Sequence, residues 1–177
     1  MRDKNTMRKS HNVTAAAVEI ILSPAVLFGA ESDTRAGEWH HFGNDSAGSR
    51  YSPLDQIDRS NFGDLELAWR WTSISEEVTR EYTDTVKPSQ FKPIPLMIDG
   101  LIYVASEISQ VAALDPATGE VVWQHDPEAW RAGRPANVGF QHRGVACWAD
   151  GADRRIFIAT HDSKLVAMNA RTGEPVA

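Results

Sequence analysis

Along the second half of the chain, apolar and polar positions alternate with a period of two, in short runs of β-branched and aromatic residues closed off by turn residues. That pattern predicts strands rather than helices. The runs also repeat. Leu101-Ile102-Tyr103-Val104-Ala105-Ser106 returns 54 residues later as Arg155-Ile156-Phe157-Ile158-Ala159-Thr160, and the stretch 111–120 returns at the same offset as 165–174. Leu67-Ala68-Trp69 lies 54 residues before Val121-Val122-Trp123, so the tryptophan that closes one unit matches the one that closes the next, and the series would continue at Ala177. A fixed period of this size is the mark of stacked structural repeats.

Turn chemistry divides each unit. Asp115-Pro116-Ala117-Thr118-Gly119-Glu120 places a proline where φ is fixed and negative and a glycine where φ is expected to be positive, which predicts a hairpin. Asp99-Gly100 and Asp150-Gly151 predict turns leading into the Ile-Tyr-Val and Ile-Phe-Ile strands, the second a few residues further from its strand. Four short strands per unit, ending in an aromatic that wedges between neighbouring sheets, is the arithmetic of a β-propeller blade. The expected fold is therefore all-β, a partial β-propeller. At 54 residues per blade the 177 residues hold two to three four-stranded blades, fewer than the roughly 4 to 8 that close a ring. The chain is expected to be the N-terminal part of a longer protein and to be prone to aggregation on its own.

Composition is that of a globular protein, with 42% hydrophobic and 24% charged residues. Eighteen basic against 24 acidic side chains give a net charge of −6, which argues against a nucleic-acid partner. Residues 1–30 read as a signal-like segment. Arg2, Lys4, Arg8 and Lys9 precede an apolar stretch that Glu19 and Pro24 interrupt, and export to the periplasm is the expectation. Cys147 is the sole cysteine and reads as a small buried hydrophobe.

From residue 39 the motifs resemble a known family. Trp39-His40-His41-Phe42-Gly43-Asn44-Asp45, Gly48-Ser49-Arg50-Tyr51-Ser52-Pro53-Leu54-Asp55-Gln56-Ile57, Asn61 through Trp69, Pro95 through Val104, and Arg143-Gly144-Val145-Ala146-Cys147-Trp148 follow one another in family order. Together they resemble the quinoprotein dehydrogenases that use pyrroloquinoline quinone (PQQ), the glucose dehydrogenase branch most. The resemblance implies that residues 31–177 are the N-terminal part of an eight-bladed propeller. It also implies a periplasmic enzyme that oxidises a sugar or alcohol hydroxyl and passes electrons to a quinone or cytochrome, with PQQ and a calcium ion as cofactors. The calcium ligands and the catalytic base of that family fall in later blades, so no catalytic or metal-ligating residue is assigned here, and the remaining propeller blades are an expected partner.

Two cofactor-binding residues are assigned. The resemblance makes Arg143 a contact to the quinone, and a planar guanidinium suits a tricarboxylate; pairing with a nearby aspartate such as Asp150 is the alternative. Lys92 stands where many relatives carry Glu or Gln facing the cofactor, and either meets a quinone carboxylate as a point charge or is solvated at the rim. Ile94 replaces a hydroxyl-bearing residue. His40, His41, His125, His142 and His161 scatter without metal-ligand spacing and read as surface or turn residues. Trp69, Trp71, Trp123 and Trp148 read as inter-blade packing rather than a sugar platform, and residues 73–90 as a polar, solvated insertion. A non-catalytic propeller scaffold and a gene remnant are the alternative functions.

Overall fold

The computed structural model describes residues 37–45, 47–81, 90–136 and 138–176. The signal-like segment and Ala177 lie outside the described residues. Strands β1 (Leu96–Ile98), β2 (Leu101–Ala105), β3 (Val111–Leu114) and β4 (Val121–His125) form one four-stranded sheet in that order. Strands β5 (Ala146–Asp150), β6 (Asp153–Ala159) and β7 (Leu165–Asn169) form a second, three-stranded sheet. Every named pairing is antiparallel. The place of a fourth strand in the second sheet is marked by an isolated bridge, Met168 to Pro175.

The 54-residue period is carried into the register. Ile102 pairs Leu114 as Ile156 pairs Met168, Ala105 pairs Val111 as Ala159 pairs Leu165, and Leu114 pairs Val121 as Met168 pairs Pro175. The first hairpins differ in length. Asp99 and Gly100, at φ 50° and 75°, close β1 onto β2 in the doubly left-handed turn that matches strand twist. The corresponding β5–β6 hairpin runs on to the Asp150–Asp153 pair, which is why Asp150-Gly151 stands further from its strand.

The Asp115 turn closes as the sequence predicts. Asp115 Oδ1 accepts the Ala117 and Thr118 amides at 2.9 Å each, and Gly119 sits at φ 74°. Asn169 and Gly173 repeat the arrangement.

Both faces of the first sheet are covered, which is why all four residues of β3 are buried. One face carries Val104, Ala112 and Leu114 beneath Trp69 and Trp71. The other carries Leu96, Ile98, Tyr103, Ala105, Val111, Ala113 and Trp123 against Val145, Ile156, Ile158, Met168 and Ala170 of the second sheet.

The wedge between units is a tryptophan over a glycine. Trp69 Nε1 donates to the Pro116 carbonyl at 2.9 Å, and a Cβ on Gly119 would fall 2.5 Å from its ring. Trp123 donates to the Ala170 carbonyl at 2.9 Å, with Gly173 equally tight against it.

Three expectations are corrected. Residues 65–72 belong to no strand, because no described residue supplies a hydrogen-bonding neighbour; Trp69 and Trp71 pack on a sheet face instead. Trp148 is not an inter-blade wedge, being 46% exposed on β5 with the Arg155 guanidinium 5.5 Å from its ring. The insertion is not simply solvated. Helix α1 (Glu76–Glu81) buries Val78 with Ile74, Ile108, Trp130 and Phe140, and residues 82–89 lie outside the described residues. Cys147 is free and half-buried against the core, and burial raises its thiol pKa.

Candidate cofactor-facing end of the sheets

Antiparallel pairing sets the start of β1, the end of β2 and the start of β3 at one end of the first sheet. The start of β5, the end of β6 and the start of β7 share the matching end of the second. Leu96 pairs Tyr103 and Ala146 pairs Phe157, and those partners are 54 residues apart, so Leu96 and Ala146 are equivalent. Lys92 lies four residues before the first and Arg143 three before the second. Both assigned residues therefore stand at the same end of equivalent strands.

Both are exposed, and neither makes a hydrogen bond or ion pair with any described residue. Arg131 pairs with Glu128, Arg154 with Asp99, Arg155 with Asp153 and Lys164 with Asp162, whereas the side chains of Arg59, Arg70, Arg80, Arg134 and Arg171, like those of Lys92 and Arg143, make no such bond to a described residue. The pairing of Arg143 with Asp150 does not occur; Asp150 is at the far end of β5, paired with Asp153 in the ladder. Two unpaired cations with open donors suit a ligand bearing several carboxylates. Among the described residues no group of three His, Cys, Asp or Glu side chains could hold a metal ion, so the described part of the chain does not fit a calcium site.

The same end contains a histidine pair that the sequence spacing does not reveal. His142 Nε2 donates to the Ala159 carbonyl at 2.8 Å, and its Nδ1 accepts the Gly144 amide at 2.8 Å. His161 Nε2 donates to the Gln141 carbonyl and its Nδ1 meets Ser109 Oγ, both at 2.9 Å. The rings lie 5.9 Å apart at 89°. Both are half-buried rather than on the surface, and His161 stands in the β6–β7 turn, the other setting expected. The missed signal is register, since His142 lies four before Ala146 and His161 four after its partner Phe157. Burial, with His161 nearby, lowers the His142 pKa, and the bond to Ala159 opposes that shift.

On the outer side, buried Gln110 donates to Ser75 Oγ and Asp126 Oδ2, and buried Glu107 accepts from Ser73 Oγ at 2.8 Å. These bonds hold the insertion to the β2–β3 turn.

Stacked antiparallel sheets locked by tryptophans define a β-propeller segment. The chain belongs to the PQQ family of glucose/ethanol/alcohol dehydrogenases: the profile of that family's β-propeller domain matches residues 39–177. It is 34% identical over 151 residues to the dehydrogenase subunit of the quinone alcohol dehydrogenase of Gluconacetobacter polyoxogenes, covering 82% of this chain and 18% of that protein. It is 34% identical over 152 residues to the 1-butanol dehydrogenase (cytochrome c) of Thauera butanivorans, covering 85% of this chain and 20% of that protein. The crystal structure of the quinohemoprotein alcohol dehydrogenase from Comamonas testosteroni superimposes with a TM-score of 0.61 at 30% identity, over 81% of this chain and 20% of that one. The chain thus spans about a fifth of the length of these relatives.

Proposed function

We propose that this chain forms part of the wall around the quinone in a periplasmic PQQ-dependent dehydrogenase, with Arg143 and Lys92 meeting the cofactor's carboxylates. The carrying observation is Arg143, an exposed guanidinium three residues before β5 that has no partner among the described residues. The bound quinone would supply the redox chemistry, and the protein supplies binding, orientation and electrostatics. Arg143 offers a fixed fork of donors to a carboxylate, whereas Lys92 offers a point charge that tolerates looser geometry.

The substrate we infer is an alcohol hydroxyl. The names of the matched relatives favour an alcohol over the glucose-like sugar suggested by the opening motifs. They also favour a cytochrome or a quinone as the electron acceptor. Turnover requires groups that the described residues do not bring together, including a metal site, and the 177 residues alone are expected to bind without turning over.

The test is a PQQ titration of the purified chain, with and without calcium, followed by quenching of tryptophan fluorescence. Charge-assisted hydrogen bonds contribute about 1.5–3 kcal/mol, so Arg143→Ala should weaken binding about 10- to 100-fold. Lys92→Gln should cost less, about threefold, as an exposed point charge. A folded chain that shows no saturable binding, at a concentration where sedimentation finds it monomeric, overturns the reading and leaves a propeller scaffold.

A further inference from the structure

We propose that His142 is a positioning residue for Arg143, its neutral imidazole acting as a strut that fixes the Arg143–Gly144 backbone at the cofactor-facing end. The inference rests on the reading of Arg143 as a quinone contact, and its geometry stands apart from that reading. Arg143 is exposed and has no partner among the described residues, so its own backbone sets where the guanidinium starts. That backbone is held at the Gly144 amide by one ring, itself tied to β6. Nδ1 of His142 accepts the amide of Gly144, the residue after Arg143, and Nε2 anchors the ring to the end of β6 through Ala159.

The fit is close enough to exclude a side chain at position 144. A Cβ there would lie 2.7 Å from Cε1 of His142. The ring is braced in turn by His161, which ties Gln141 to Ser109 in the β2–β3 turn of the first sheet. The strut therefore joins both sheets to the peptide that carries Arg143.

Only one protonation state can do this. With Nε2–H committed to the Ala159 carbonyl, Nδ1 must carry a lone pair to accept the Gly144 amide. Protonation sets two donors against each other and breaks the bond. The charged and titratable groups around the ring are Arg143 beside it, His161 across from it, and Asp162 in the turn that carries His161, already engaged by Thr160 and Lys164. Burial and His161 both favour the neutral form, so the strut is intact at neutral pH and fails in acid.

The experiment compares the 15N-labelled chain with His142→Asn and His142→Leu, following the Gly144 amide by NMR and PQQ affinity at about pH 7.5, where histidine is neutral. An asparagine Oδ1 accepts the amide two residues on, as Asn169 Oδ1 does for Arg171 here, but does not titrate. The wild-type Gly144 amide should be protected from exchange and should shift on acidification below the ordinary histidine range. His142→Asn should keep the protection, lose the titration, and bind PQQ within about twofold of wild type. His142→Leu should lose the protection and bind about tenfold more weakly.

Undiminished Gly144 protection in His142→Leu overturns the proposal. So does unchanged PQQ affinity in His142→Leu while Arg143→Ala weakens binding. If His142→Leu does not fold, a Gly144 shift that still titrates in His142→Asn overturns it. If Arg143→Ala binds like wild type, or nothing binds, the function proposed above fails, and amide protection alone decides the role of His142.

Discussion

The Ala170 carbonyl gathers two donors, the Trp123 indole at 2.9 Å and the Tyr103 hydroxyl at 3.1 Å, at the seam between the sheets. They should not count equally. Tyr103→Phe leaves the carbonyl satisfied by Trp123 and should cost about 1 kcal/mol. Trp123→Ala removes that bond and a large buried ring, and should cost about 3–5 kcal/mol; urea denaturation of the two variants checks the order. Burial pushes the Tyr103 pKa up to about 12, against about 10 for an unburied tyrosine. The folded state therefore holds this proton more tightly than the unfolded chain. The stability it contributes is full below about pH 10 and drains away as pH rises toward 12. Alkaline titration followed by tryptophan fluorescence should show an unfolding limb in that window, reduced in Tyr103→Phe. Cys147, whose thiol pKa burial also raises, contributes with the same sign, and Cys147→Ala separates the two.

At the scale of elements, the glycines of the turns divide by what faces them. Gly119 and Gly173 combine positive φ with an indole ring inside van der Waals distance, whereas Gly151 has positive φ and nothing within 4 Å. Gly151→Ala should therefore cost only the backbone term, about 1–2 kcal/mol. Gly119→Ala and Gly173→Ala should each cost more, because the tryptophan must also move; thermal denaturation of the three variants gives the comparison. Much of this was legible in the sequence. Period-two runs gave β2, β3, β6 and β7, and the offset of 54 gave the equivalence of their pairings, because both are local or self-referential signals. Leu67-Ala68-Trp69 matches the strand-forming Val121-Val122-Trp123 at the repeat offset yet forms no strand, because a strand exists only beside a partner that no described residue provides. Helix α1 read as solvated loop because its burial rests on Val78 alone, set against side chains from distant segments. At the candidate site, Lys92 and Arg143 were assigned from motif order alone. The His142–His161 pair was not legible in this way, since its two members are joined only by the extended register of β5 and β6.

At the scale of the whole molecule, large apolar side chains stay in water within one stretch of chain. Phe42, Tyr51, Leu54, Ile57, Phe62, Leu65 and Leu67 are each 51–69% exposed. Apolar surface concentrated in this way drives association, and the purified chain should sediment as a concentration-dependent mixture and enhance the fluorescence of a hydrophobic dye. A single monomeric boundary with no dye response would contradict this. The tryptophan lock carries a different implication, about how such a chain is edited. Trp69 meets Gly119 and Trp123 meets Gly173, fifty positions on in each case. Any 54-residue window that begins between residues 66 and 123 therefore contains one of these tryptophans and one of these glycines. A tandem duplication of such a window leaves every tryptophan fifty positions before a receiving glycine, junctions included. Within that range, lengthening by a whole unit is tolerated at any breakpoint, and geometry rather than the place where one repeat is said to end sets where the chain can be joined.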